Sequence, residues 1–393
     1  MMIYSRGMAT RRDFLKTSAL AGGAFGLAGP ASLPARGGGA FERQRASTPL
    51  RILILGGTGF IGPHQVRHAV ARGHRVTLFN RGQTNPGLFK GLAGIDERIG
   101  DRAPHPGNYD ALKTGEWDVV IDNPTTRPRW VREAAAAVKG RAGQYVFIST
   151  ISVYAANDTP GADESAKVAT TTTPALEDGP DYPPLYGPLK ALSEQEAQAA
   201  FPGRATIIRP GLIVGVGDPS DRFTYWPVRI ARGGEVLAPP AGDPVQLIDA
   251  RDLGEWVIHC AERKVYGVFN ATGPAARFTV AQMLEGTRAA IGAKASFTHV
   301  TSAFLEAQTP PVNGWSDLPV WVPPQGDTAG FTQRSVAKAR ASGLTFRPFA
   351  DTVKATLAFY AEQTSERKAQ LHAGLLAERE AQVLAAWKAR RRE

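Results

Sequence analysis

The chain has 393 residues, 43% of them apolar, enough to bury a large core and to exclude disorder as its main state. Its single cysteine, Cys260, excludes an intramolecular disulfide, and no Cys/His cluster has metal-ligand spacing, so packing must supply the stability. Much of the formal net charge of +10 gathers in Arg11-Arg12 and in Lys388, Arg390, Arg391 and Arg392, without interleaved aromatics, which disfavours a nucleic-acid-binding surface.

Near its start the chain carries TRRDFLK at 10–16, an Ala/Gly-rich weakly apolar stretch at 18–31, and small residues around Pro34-Ala35. This leader, with its linker spanning 1–40, resembles a bacterial twin-arginine signal peptide, with cleavage expected after Ala35 or Ala40. The resemblance implies export of an already folded protein, to the periplasm or beyond; an incidental arginine pair would leave the protein cytoplasmic. The apolar part is too short and too glycine-rich for a stable membrane span, which needs about 20 predominantly apolar residues.

From Leu50 short apolar runs alternate with amphipathic stretches: RILIL, helix-like 64–72, RVTLF, then WDVVID, an Ala-rich helix at 130–139, and QYVFIST. That alternation predicts βαβ units and a doubly wound parallel sheet of the α/β class, here over 50–215. A Pro/Thr-rich stretch at 157–184 breaks the periodicity and suits a substrate-covering loop. Residues 216–350, with VQLID, a helix at 253–262 and GVFNATG, read as a smaller substrate-binding lobe interleaved with the sheet. Residues 351–393 read as a helical C-terminal tail.

The loop Gly56-Gly57-Thr58-Gly59-Phe60-Ile61-Gly62 follows an apolar strand and precedes a helix, the context of a Rossmann dinucleotide fingerprint. Gly56 permits the tight turn, Gly59 lets backbone approach the pyrophosphate, and Gly62 lets helix pack on strand. The next strand ends at Asn80-Arg81, where a site selective for NAD places an acid for the ribose 2′-hydroxyl. An amide followed by a guanidinium suits a 2′-phosphate, so NADP is favoured and NAD is the alternative. Asp101 is a candidate for the adenine edge, and Asn123, after VVID, for the nicotinamide end.

GGTGFIG, VFISTISVY at 146–154, YGPLK at 186–190, IIRPGLIVG and QLIDARDLGEW resemble, in order, the extended short-chain dehydrogenase/reductases, the branch of NAD-dependent epimerases and dehydratases. The opening resembles the atypical subgroup that includes chloroplast stem-loop-binding proteins. The resemblance implies catalytic Tyr186, Lys190 and Thr150, with Ser149 as the alternative hydroxyl. Residues four apart share a helix face, so Lys190 can hold the nicotinamide ribose and lower the pKa of the Tyr186 phenol. Tyr186 then acts as general base or acid.

Ile151-Ser152 stand where related dehydratases carry an Asp-Glu pair, which argues against dehydration. The expectation is an NAD(P)-dependent epimerase or oxidoreductase acting by hydride transfer on a secondary alcohol or ketone of a sugar-like small molecule. Export favours a redox-neutral cycle on a resident cofactor, hence epimerisation. The loop at 218–226 and Arg251 are candidates for the substrate pocket, each with an equal claim to a structural role. The alternative is a non-catalytic dinucleotide-binding protein that recognises RNA or another partner. Relatives that dimerise through helices flanking the Tyr/Lys segment make a homodimer the expected assembly.

Overall fold

The computed structural model describes residues 45–123, 125–171 and 185–390. The leader, the 172–184 part of the Pro/Thr-rich stretch and Arg391-Arg392 lie outside them.

Strand β1 (Arg51–Leu55) leads into helix α1 (Gly62–Ala71), then β2 (Arg75–Asn80) and β3 (Ile95–Ile99). β4 (Trp117–Asp122), α2 (Pro128–Ala137), β5 (Ala142–Ile148), α3 (Tyr186–Ala200) and β6 (Ala205–Pro210) continue the alternation. After them come β7 (Leu212–Val214), α4 (Tyr225–Ala231), β8 (Gly234–Ala238), β9 (Leu247–Asp249), α5 (Ala250–Glu262) and β10 (Gly267–Ala271). α6 (Val280–Ile291), β11 (Ala295–His299), α7 (Ser302–Glu306), α8 (Ala337–Ala341), α9 (Phe349–Ala361), α10 (Ser365–Ala369) and α11 (Ala377–Arg390) complete the chain.

Seven strands form one parallel sheet in the order β10-β6-β5-β4-β1-β2-β3. The order reverses between β1 and β4, the position at which a doubly wound sheet opens a crevice at its carboxyl edge. Burial follows from that architecture. All of β6 and four of the five residues of β1 are buried, because helices cover both faces, whereas the edge strand β3 is polar and largely exposed. Along β1 the side chains alternate: Ile52 and Ile54 join Val66, Leu253 and Val257 on one face, and Leu53 and Leu55 join Val131 and Ala134 on the other. At Gly254 a Cβ would lie 2.9 Å from that of His64, so α5 sits directly against α1.

Two elements expected with the lobe are therefore woven into the sheet layer. GVFNATG supplies its seventh strand, and the 250–262 helix covers the same face as α1. The lobe proper has its own core of Phe223, Trp226, Val236, Met283, Leu284 and Trp321, to which the tail adds Val383 and Leu384. Glu380 of α11 accepts from Arg229 Nε (2.6 Å) and from the Leu237 N–H (3.0 Å), so the tail is part of the lobe. No helix among the described residues is long and apolar enough to cross a membrane.

Candidate active site

β1 ends at Leu55, and Gly56 turns the chain with φ +76, a region that L side chains rarely adopt. Gly62 answers a different demand: a Cβ there would lie 2.4 Å from the Gly57 carbonyl oxygen, so only glycine lets α1 start this close to the turn. At Gly59 the nearest atom to a Cβ would be 3.9 Å away, leaving the backbone open to a ligand. Ile61 precedes α1 with no side-chain cap; Pro63 brings no N–H, and the His64 N–H donates to the Ile61 carbonyl (3.2 Å), so any backbone donor offered here comes from the turn itself. Thr58 is buried, and its carbonyl accepts from Asn85 Nδ2 at 3.0 Å.

Two buried polar atoms at this turn lack a partner among the described residues. Asn80 gives its Oδ1 to the Gly82 N–H (2.7 Å) while its Nδ2 has none. Asn123 donates to the Gly56 carbonyl (3.2 Å) while its Oδ1 has none. Unsatisfied buried groups are uncommon and point to a missing partner. Together with the open backbone at Gly59 they fit a dinucleotide. Arg81 is exposed and directly follows Asn80, the last residue of β2. Asp101 is half-buried, and its Oδ1 accepts the Ala103 N–H at 2.9 Å, so one of its oxygens serves its own turn.

The hydroxyl-bearing strand end and the Tyr/Lys helix meet at the same carboxyl edge of the sheet, where β5 lies two strands from β1. Thr150 caps a single helical turn at Ile151–Val153, its Oγ1 accepting the Ser152 N–H at 3.1 Å. α3 starts at Tyr186, and a Cβ on Gly187 would lie 2.2 Å from the Ser152 carbonyl oxygen, so the two segments touch backbone to backbone. Tyr186 is half-buried. Lys190 is fully buried: its Nζ donates to the Ile148 carbonyl at 2.7 Å and lies 4.3 Å from the centre of the Phe147 ring. Burial pushes its pKa down to about 7, against the pull of the Asp122 and Glu194 carboxylates and with a push from Arg102. Asp122 is held from below by the Arg102 fork (2.7 and 2.9 Å) and by the Tyr145 hydroxyl (2.7 Å).

A loop from the lobe closes on the same place. His64 Nε2 bonds the Val216 carbonyl at 2.8 Å, and a Cβ on Gly217 would lie 3.5 Å from Phe60. The Asp218 carboxyl is buried, which raises its pKa; Oδ1 takes the Ser220 hydroxyl and N–H, and Oδ2 has no partner among the described residues. Arg222 donates from Nε to Ser220 Oγ (3.0 Å) and stacks 4.7 Å from the Trp315 ring. Burial lowers its pKa, while Asp218 and Tyr186 act on it in the opposite direction.

The rest of the 218–226 segment turns inward. Tyr225 and Trp226 belong to α4 and the lobe core, because two large rings are better buried than presented to water. Arg251 forks onto Asp249 (2.9 and 2.7 Å) and serves the fold.

Three features escaped sequence reading. Asn85 crosses to the glycine turn. Ser149, weighed only as the alternative hydroxyl, donates instead to Glu194, and Asp221 accepts from Arg367 (2.7 Å) and the His372 N–H (2.9 Å). The one available signal was the placement of Glu194 on the Tyr186/Lys190 face.

No family model matches the chain. It is 27% identical to the bovine (Bos taurus) epimerase family protein SDR39U1, over 66% of this chain and 86% of that protein. It is 30% identical to a 2-alkyl-3-oxoalkanoate reductase of Stenotrophomonas maltophilia over 43% of this chain and 52% of the other. A stretch covering 31% of this chain and 35% of the other is 33% identical to the chloroplast stem-loop binding protein of 41 kDa b of Arabidopsis thaliana.

Among solved structures, a putative epimerase from Burkholderia cenocepacia superposes with TM-score 0.58 at 19% identity, over 81% of this chain and 99% of that one. UDP-glucuronic acid 4-epimerase from Bacillus cereus, solved with NAD, gives 0.54 at 16%, over 79% and 98%. The fold is that of the epimerases. The described residues hold no group of three or more His, Cys, Asp or Glu suited to a metal ion.

Proposed function

We propose that the protein is a nicotinamide-dinucleotide-dependent enzyme of the epimerase and short-chain dehydrogenase/reductase type. In this reading it interconverts a secondary alcohol and a ketone on a sugar-like small molecule. The observation that supports it is the packing of the Thr150 turn on the helix that begins at Tyr186 and carries Lys190, at the same edge of the sheet as a glycine turn with an open backbone and two orphaned amides. Similarity to epimerase family proteins over 66% of the chain supports it.

The backbone of Gly56 to Gly62, at the N-terminus of α1, would hold the pyrophosphate, and Asn80 with Arg81 would hold the adenosine ribose. Hydride exchange with the substrate carbon is the chemistry that a bound nicotinamide supplies. The chain's own share is orientation and proton handling. Thr150 hydrogen-bonds the substrate oxygen, and Tyr186 takes or returns the hydroxyl proton. The Lys190 ammonium, with its pKa near 7, favours the phenolate and is tunable around neutrality. Arg81 and the missing acid favour NADP over NAD.

The Arg11-Arg12 leader supports export, and an exported enzyme without a free nicotinamide pool is best served by oxidising and re-reducing one substrate. That favours epimerisation over net reduction. Mass spectrometry of the nucleotide released on denaturing the purified protein tests the reading: near-stoichiometric NADP or NAD is expected. An empty protein that binds neither overturns it. Tyr186→Phe should retain the nucleotide and lose roughly 10²- to 10⁴-fold in turnover; unchanged turnover would remove Tyr186 from the mechanism.

A further inference from the structure

We infer that Glu194 is a positioning residue, the carboxylate that locks the helix bearing Tyr186 and Lys190 to the strand end bearing Thr150. The inference rests on the dinucleotide chemistry proposed above.

Glu194 lies four positions after Lys190 and eight after Tyr186, so the three share one face of α3. Its carboxylate is almost wholly buried, with 3% exposure, and both oxygens are engaged. Oε1 accepts from Ser149 Oγ (2.5 Å) and Arg209 Nε (2.9 Å), and Oε2 accepts from Arg209 Nη2 (2.6 Å). Ser149 immediately precedes Thr150, and its N–H donates to the Ile208 carbonyl of β6 at 2.6 Å. One carboxylate therefore joins α3, the end of β5 and β6.

The fork is itself anchored. The Arg209 guanidinium stacks 4.8 Å from the Tyr154 ring, whose hydroxyl donates to Asn270 Oδ1 on β10 at 2.6 Å. Arg334 stacks on the same ring at 4.1 Å.

Apolar side chains would hold a helix on a sheet without desolvating two charges, and such replacements are often neutral or stabilising. What apolar contact lacks is direction. Charge-assisted bonds from fixed donors fix the rotation and the rise of α3 against Thr150, and so the geometry of Tyr186. Glu194 also places a negative charge near Lys190. The other charged groups acting on that ammonium are Asp122 on β4, whose carboxylate accepts from the Tyr145 hydroxyl, and Arg102 after β3; Arg209 lies behind Glu194.

The test follows binding of NADH or NADPH, whichever the protein binds more tightly, by nicotinamide fluorescence between pH 6 and 9. In the unaltered protein affinity should fall about three- to tenfold as Lys190 loses its proton. Glu194→Gln removes the charge and should move the midpoint down by about one pH unit. Glu194→Gln/Arg209→Met also removes the stranded guanidinium; it should recover stability while keeping the lowered midpoint and reduced turnover, and it decides the matter if the single variant does not fold. A midpoint and turnover that return to the original values together with stability would make the pair purely structural and overturn the inference. Failure of the unaltered protein to bind either nucleotide at any pH would instead overturn the proposed function.

Discussion

Gly56 to Gly62 forms one side of the site within a single turn, whereas Asp221 on the other side is held by Arg367, 146 positions further on. The first side is built from local geometry: a turn that needs φ +76, a helix that starts too close for a Cβ, a Tyr and a Lys one helical turn apart. The second is built from partners that only the folded tail delivers. Asp221, itself at φ +57, receives Arg367 and the His372 N–H, while His372 Nδ1 bonds the Pro219 carbonyl (2.8 Å). The glycine turn is thus shaped by its own residues, while the conformation of the 218–222 loop is set by the C-terminal segment.

The largest expected separation of the two sides is electrostatic. Lys190 is buried with its pKa lowered to about 7, so in the nucleotide-free protein the unfolded chain binds more protons than the folded one between that value and the ordinary lysine range. Stability should rise as the pH rises through this window, and be lost again as the pH falls through 7. In Lys190→Met this dependence is absent. Its advantage over the unaltered protein in urea unfolding should shrink by roughly 4 kcal/mol between pH 6 and 10. A constant difference across that range would mean that Lys190 is not desolvated as described.

How much of this the chain announces follows the same division. Strands β1, β2, β4 and β5, the glycine turn and the spacing of Tyr186 and Lys190 are written in contiguous residues, where period, turn chemistry and helix geometry act directly. The placement of GVFNATG beside β6 was not legible, since an apolar run of that length fits a lobe strand as well as a sheet strand. The role of Glu194 was not legible, because Ser149 and Arg209, which close around it, lie outside its helix. Trp226 looked available to substrate, yet it is fully buried with its Nε1 donating to the Pro319 carbonyl at 2.7 Å. Each miss involves a partner far away in sequence.

A change at Asp221 should break the loop side alone. Asp221→Ala removes the acceptor for Arg367 and His372 and places alanine at a left-handed backbone position. It should cost about 2–3 kcal/mol and open the 362–376 segment to limited proteolysis. Asp221→Asn, which tolerates that backbone conformation and keeps an acceptor oxygen, should lose about 1 kcal/mol less. Nucleotide affinity should be unchanged in both, since Asp221 is held by Arg367 and His372 of the tail and not by Gly56 to Gly62, Asn80 or Lys190. A parallel loss of nucleotide affinity would show that the two sides are one cooperative unit.

The smallest effect belongs to Arg81, exposed at the end of β2, and it sharpens the nucleotide side from within. If the guanidinium meets a 2′-phosphate across solvent, its removal in Arg81→Ala should weaken NADP about tenfold, near 1.4 kcal/mol, and leave NAD within about twofold. The NADP loss should also shrink as salt is raised, because an exposed charge pair is screened. Equal weakening of both nucleotides would assign Arg81 to the turn after Asn80 and not to the phosphate. In that case the buried Asn80 Nδ2, which has no partner among the described residues, would be the donor left to discriminate at the ribose, and an amide that serves a hydroxyl as readily as a phosphate oxygen would point to NAD.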